Sequence, residues 1–127
     1  DGIKCHDFAG ISLHNRVAYH EFEGLTVNLD ERARLSRNLG DKNVMILRNH
    51  GLLSCGRTVA DAFRHLYALE IACQVQMTAQ SSGQTLISPS HEVREKHAQT
   101  LEDADNGELA FSALIRLMDQ KDPSFRN

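Results

Sequence analysis

Residues 43 to 47, NVMIL, restrict the fold of this chain more than any other stretch: four apolar residues run without a polar interruption, with GDKN before them and RNHG after. A strand with one wet face alternates apolar and polar side chains, so this run predicts a short strand buried on both faces. Apolar character resumes from Leu52 to Cys55, which reads as a second strand joined to the first by a tight turn over residues 49 to 51.

The most regular pattern follows this pair. Thr58 is placed to cap a helix whose third position is Asp61, in the manner of a capping box, and the helical run continues to about Gln80. Val59, Ala62, Phe63, Leu66, Cys73 and Met77 fall on one side at helical spacing, and Glu70 lies inside that stripe. Upstream, a strand is expected near residues 16 to 22. A short helix through Leu39 is expected after a cap at Asn28 or Asp30, with Gly40 at the left-handed C-terminal position. Downstream of the SSGQ break, Ser90 caps a helix from His91 to about Leu101, with Glu92, Glu95 and Lys96 on its polar face. Glu108 to Met118 forms another amphipathic helix, residues 119 to 127 read as a tail, and residues 1 to 15 show little periodicity. A chain of 127 residues with this content suits one domain over residues 1 to 127.

Charge and cysteine usage remove several classes of function. The net charge of -3 offers no basic footprint for a phosphate backbone, so no nucleic-acid partner is expected. No apolar run approaches the roughly 20 residues needed to span a bilayer, and the expectation is a cytoplasmic protein. Three widely spaced cysteines without CxxC suggest reduced, mostly buried thiols. No GxSxG, P-loop or GxGxxG is present, and the seven histidines include no HxH or HExxH.

Two residues stand out as candidates for chemistry. His50 is delivered to a turn by a buried strand, and Gly51 beside it removes side-chain bulk where a ligand or second backbone could approach. Turn chemistry alone explains Asn49-His50-Gly51 about equally well, because Asn and Gly tolerate positive φ. Glu70 on an apolar stripe needs a partner, and a structural ion pair with Arg48 or Arg64 is preferred to direct catalysis. His65, His91 and His97 share helix faces with charged residues and are read as solvated surface histidines.

The stretch NVMILRNHGLLSCGRTVADAFRHLYALEIACQVQMTAQSSG, residues 43 to 83, resembles the second half of the class II aldolase/adducin domain, and residues 16 to 40 resemble the segment that leads into it. The resemblance implies a three-layer α/β/α sandwich with a mainly antiparallel sheet, incomplete in this chain, and a homo-oligomer, usually a tetramer with active sites between subunits. It also implies a divalent metal, commonly zinc, and cleavage or formation of carbon–carbon bonds in sugar phosphates or related hydroxy-carbonyl compounds. The histidine of the family's HG motif is a metal ligand, which maps onto His50, with Asn49 and Gly51 shaping the turn and Glu70 buttressing it. A metal held by neutral imidazoles with an open position can stabilise the enediolate left by retro-aldol cleavage.

The family's HxH ligands and carboxylate acid/base normally lie upstream of the matched region, and this chain contains no HxH. With Asp1 rather than Met at its start, it is expected to be a fragment or processed product of a longer protein. The alternative to an enzyme is a non-catalytic module of the adducin type, serving oligomerisation or cytoskeletal contact; residues 68 to 83 resemble both branches.

Overall fold

A computed structural model of the chain describes residues 2–24, 29–104 and 107–126. Its helices are α1 (Phe8–Ser12), α2 (Leu29–Leu39), α3 (Val59–Ser81), α4 (His91–Ala104) and α5 (Glu108–Lys121). Its strands are β1 (Val17–His20), β2 (Val44–Leu47) and β3 (Gly51–Ser54). Asn28, one of the two expected caps, lies outside the described residues, and Asp30 falls within α2.

The strands form one sheet in the order β1-β2-β3. β1 runs parallel to β2, with Val17 opposite Val44 and His20 opposite Leu47. A parallel pair cannot be closed by a hairpin, and α2 is the crossover that returns the chain. β2 and β3 pair antiparallel, Leu47 opposite Gly51, as the sequence of two apolar runs about a turn requires. The described sheet is therefore mixed, and its antiparallel character is carried by β2 and β3 alone.

Side chains alternate across a strand, which sorts the residues into two faces. Val17, Val44, Leu69 and Ala72 meet Leu13 in a buried cluster, joined by Tyr19, Ile46, Leu52 and Cys73, so this face packs against α1 and α3. Ala18, His20 and Met45 project the other way, toward α2, and all three are buried. Helices over both faces of the sheet give the α/β architecture expected.

Thr58 caps α3 as expected, its Oγ1 accepting the Asp61 N–H at 3.1 Å. The buried line of α3 is not the one expected: Ala60, Asp61, Leu69 and Ala72 are buried, whereas Val59 is 72% and Met77 68% exposed. The helix is apolar on most of its circumference, so its period does not choose a face; contact with the sheet does. Phe63 turns instead toward α5, its ring 5.6 Å from that of Phe111.

Three other segments depart from expectation. Asp7 caps α1 by accepting from Ala9 and Gly10 backbone N–H groups, a five-residue helix too short to show a period. The polar face of α4 is docked rather than free: Arg16 pairs with Glu95 and, at 3.1 Å, with Glu102. The expected tail over 119–127 is ordered through Arg126: α5 reaches Lys121, Pro123–Arg126 forms a 3-10 turn, and Arg126 donates to Asp119 at 2.7 Å.

Candidate functional site

His50 occupies the last position of the three-residue connection between β2 and β3. Its backbone N–H donates to the Leu47 carbonyl at 3.0 Å, closing the turn, and Asn49 takes the left-handed conformation with φ of 56°. Asn49 is thus the residue whose identity the turn uses. Gly51 is not in the left-handed region, and a Cβ there would meet nothing within 4 Å, so the space beside the turn is open. The imidazole of His50 sits at the exposed tip. Arg48, at the start of the turn, places Nε 2.8 Å from the Glu21 carboxylate and lies over the Tyr19 ring, 5.5 Å from its centre.

Glu70 does not support this turn from a buried stripe. It is exposed on α3, and its carboxylate accepts a hydrogen bond from Gln74 one turn along the same helix, at 2.8 Å. The expected partner Arg48 is engaged with Glu21. The carboxylate does act locally: burial first, and the nearby Glu70 charge second, push the Cys73 thiol up from its ordinary value.

A second constellation lies at the end of β1. His20 is 4% exposed, and its Nε2 has no hydrogen-bond partner. That atom stands 3.6 Å from Glu31 Oε1 and 3.7 Å from Glu23 Oε1, too far for hydrogen bonds. On its other side, Nδ1 is 2.8 Å from the side-chain nitrogen of Asn38 in α2. Glu31 is buried in the first turn of α2, and Glu23 is gripped by Arg34, whose Nε lies 2.9 Å from Oε1. The hydrogen bond from Arg34 holds the Glu23 carboxyl below its usual range, with His20 adding to the effect. Among the described residues, these three are the one group whose donor atoms fall close enough together to hold a metal ion. Their spacing, i, i+3 and i+11, matches no ligand motif. The signal available in the sequence was a histidine followed by EFE at the end of a strand.

The other histidines divide. His14 Nε2 is 3.0 Å from His91 Nδ1 and its Nδ1 is 3.4 Å from Cys5 Sγ, contacts that join the segments flanking α1 to α4. Burial foremost, then Arg94, lowers the His14 pKa from its ordinary value. His97 packs edge-on against Phe8 at 4.5 Å rather than lying free in solvent, and His65 Nδ1 is 2.8 Å from the Cys55 carbonyl. A cavity of about 560 Å³, lined by Phe8, Arg16, Lys42, Arg64, Tyr67 and Leu101 among others, opens at the start of β2, the opposite end of the strand from His50.

A mixed sheet layered between helices, with a histidine turn at one end of the strands, defines an α/β protein. The family model described as Class II Aldolase and Adducin N-terminal domain matches residues 1–77, and the chain belongs to that family. A putative aldolase class 2 protein of Pseudomonas aeruginosa is 40% identical over 116 residues, covering 87% of this chain and 45% of the relative. Alpha-adducin of Rattus norvegicus is 35% identical over 118 residues, covering 81% of this chain and 16% of adducin. The crystal structure of an aldolase II superfamily protein from Pseudomonas syringae superposes with a TM-score of 0.91 at 41% identity, covering all of this chain and 52% of the other. L-fuculose 1-phosphate aldolase from Glaciozyma antarctica shares the fold, with a TM-score of 0.74 at 21% identity over 94% of this chain and 46% of that one. The chain spans less than half the length of the curated relatives it matches.

Proposed function

We propose that the protein serves a class II aldolase-type lyase, cleaving a carbon–carbon bond in a sugar phosphate or related hydroxy-carbonyl compound, with His50 as one ligand of a catalytic divalent metal, zinc by family expectation. The observation that carries this reading is the presentation of His50: an exposed imidazole on a turn fixed by the Leu47–His50 hydrogen bond and by Asn49. The fixed backbone sets the position of the His50 Cβ and with it the region the imidazole can reach.

The described residues do not complete a metal centre around His50, since the one group of three converging donors lies at His20. Catalytic zinc takes three protein ligands and keeps one position open, so the remaining ligands and the acid/base belong to residues beyond this stretch or to a neighbouring subunit of a homo-oligomer. When bound, the metal would supply Lewis acidity toward the substrate's carbonyl and hydroxyl oxygens. The part this chain plays is to orient His50, with Asn49 setting the path of the backbone and Gly51 leaving the space beside the turn open.

The test is aldol cleavage of a panel of sugar phosphates, with metal stoichiometry, on a complete protein carrying this sequence and its His50→Ala variant. The variant should lose one equivalent of bound metal and most of its activity. Full activity with unchanged stoichiometry would sink the assignment. A second reading is favoured by the likeness to alpha-adducin over 81% of this chain: a metal-free module for oligomerisation or cytoskeletal contact. Self-association without cleavage of any substrate, and indifferent to His50→Ala, would select it.

A further inference from the structure

We propose that His20, Glu23 and Glu31 bind a divalent transition-metal ion at a site separate from His50, where it clasps the end of β1 to the first turn of α2. Three observations converge on it. First, the imidazole Nε2 and two carboxylate oxygens lie within 4.8 Å of one another, with Nε2 3.6 Å from Glu31 and 3.7 Å from Glu23. Ligands at about 2.0–2.2 Å from a common ion are separated by roughly 3–3.5 Å, so the two imidazole–carboxylate gaps need to close by only a few tenths of an ångström, and the two carboxylates draw together to complete the set.

Second, His20 is buried and its Nε2 lacks a hydrogen-bond partner, although it is aimed between two carboxylates. Such an atom calls for an occupant of the gap. Third, the surroundings suit a coordinated imidazole. Side-chain amide oxygen and nitrogen are interchangeable by rotation, and with its oxygen toward the ring Asn38 accepts the Nδ1 proton, leaving Nε2 as a lone-pair donor.

Donor chemistry selects the ion. One imidazole with two carboxylates suits zinc, manganese or ferrous iron; magnesium prefers an all-oxygen shell and retains its waters. Two carboxylates balance a dication, and although Arg34 Nε reaches both oxygens of Glu23, at 2.9 Å from Oε1 and 3.0 Å from Oε2, a carboxylate oxygen has a second lone pair with which Oε1 can still ligate. The role is structural. The ion would join residues on a strand end, the segment after it and a returning helix. The His20 carbonyl also accepts the Arg48 N–H at 2.9 Å, so the clasp braces the first residue of the His50 turn.

The 127-residue chain, stripped with a chelator, is titrated with Zn²⁺, Mn²⁺ and Mg²⁺ by calorimetry and thermal unfolding. Wild type and His50→Ala should each bind one Zn²⁺ with a rise in Tm, and Mg²⁺ should bind at least tenfold more weakly. Glu31→Gln and the partly exposed Glu23→Gln should each lower Zn²⁺ affinity at least tenfold and abolish the Tm rise. Should Glu31→Gln fail to fold, as judged by circular dichroism, Glu23→Gln alone decides. X-ray absorption of the zinc form should show one nitrogen and oxygen neighbours at about 2.0–2.2 Å. Absence of saturable Zn²⁺ binding, binding unmoved by Glu23→Gln, or binding lost in His50→Ala would overturn the proposal. Because His50 is left untouched in the decisive variants, failure here is distinguishable from failure of the aldolase reading.

Discussion

Asn49→Ala tests whether the backbone of the turn is what presents His50. Asn49 sits at φ 56°, between the β2 and β3 residues Leu47 and Gly51 that face one another in register. A Cβ-bearing residue in the left-handed region pays roughly 1–2 kcal/mol, and Asn is among the few that visit it routinely. Because the turn is exposed and can relax, the lower end applies: Asn49→Ala should destabilise by about 1 kcal/mol, roughly a fivefold shift in the folded-to-unfolded ratio. Asn49→Gly should stay within a few tenths of a kcal/mol of the parent, glycine entering this region without penalty although its unfolded chain is freer. Urea denaturation reads both, and amide exchange adds a local probe: protection of the His50 N–H, which donates to Leu47 at 3.0 Å, should fall in the alanine variant and persist in the glycine variant. Equal losses for the two variants, or a neutral alanine, would refute the reasoning.

Leu69→Ala removes three carbons from a fully buried side chain in the main cluster. At about 0.8 kcal/mol per carbon plus a cavity term, the loss should be about 3 kcal/mol or more, seen as a lower denaturation midpoint at unchanged slope. Gly107→Ala should lower the Tm by several degrees, because Gly107 has φ 69° and an added Cβ would stand 2.6 Å from the Ala60 carbonyl oxygen, forcing α5 away from α3. The docking of α1 on α4 should be acid-labile. The folded-state pKa of His14 lies below 6.5, so as pH falls through that ordinary value the unfolded chain takes up the proton first, and stability drops until the folded pKa is passed. The Glu95 carboxyl, held low by its hydrogen bond from Arg16, contributes stability that is present above the ordinary carboxylate value and lost as pH falls through its lowered one. Denaturation at pH 7.5 and 5.5 should show the His14 decline, which His14→Gln should flatten, while the Glu95 loss begins only below about pH 4.5; stability rising toward pH 5.5 would contradict the His14 assignment.

How much of the fold was legible depended on whether the deciding interaction was local. Thr58 with Asp61 at the start of α3 and Gly40 at the end of α2 are caps formed by neighbours in sequence, and both were readable; Gly40 has φ 60° and donates to Ser36. The buried line of α3 was not, because a helix carrying Val59, Phe63, Leu66, Leu69, Ile71 and Val75 leaves its inner face to be chosen by what packs on it. Leu69 and Ala72 meet the sheet while Phe63 meets α5, and nothing within the helix distinguishes them beforehand. Glu70 was misplaced by the same degeneracy: a stripe drawn through the wrong residues enclosed a carboxylate that solvent reaches.

The two candidate histidine sites divide along the same line. His50 could be found from a turn and its flanking strands, all within a few residues. His20, Glu23 and Glu31 occupy a strand end, the segment after it and the first turn of a helix, where an acidic residue reads simply as a complement to the helix dipole. Only when β1 pairs in parallel with β2 must the chain cross over through α2, and that return lays Glu31 and Asn38 against His20. Spacing motifs register ligands that share one element; a set assembled by a crossover becomes visible through burial and an unsatisfied nitrogen instead. The pairing that creates this set also hydrogen-bonds the His20 carbonyl to Arg48, so the cluster hidden from the sequence anchors the start of the turn that the sequence displayed.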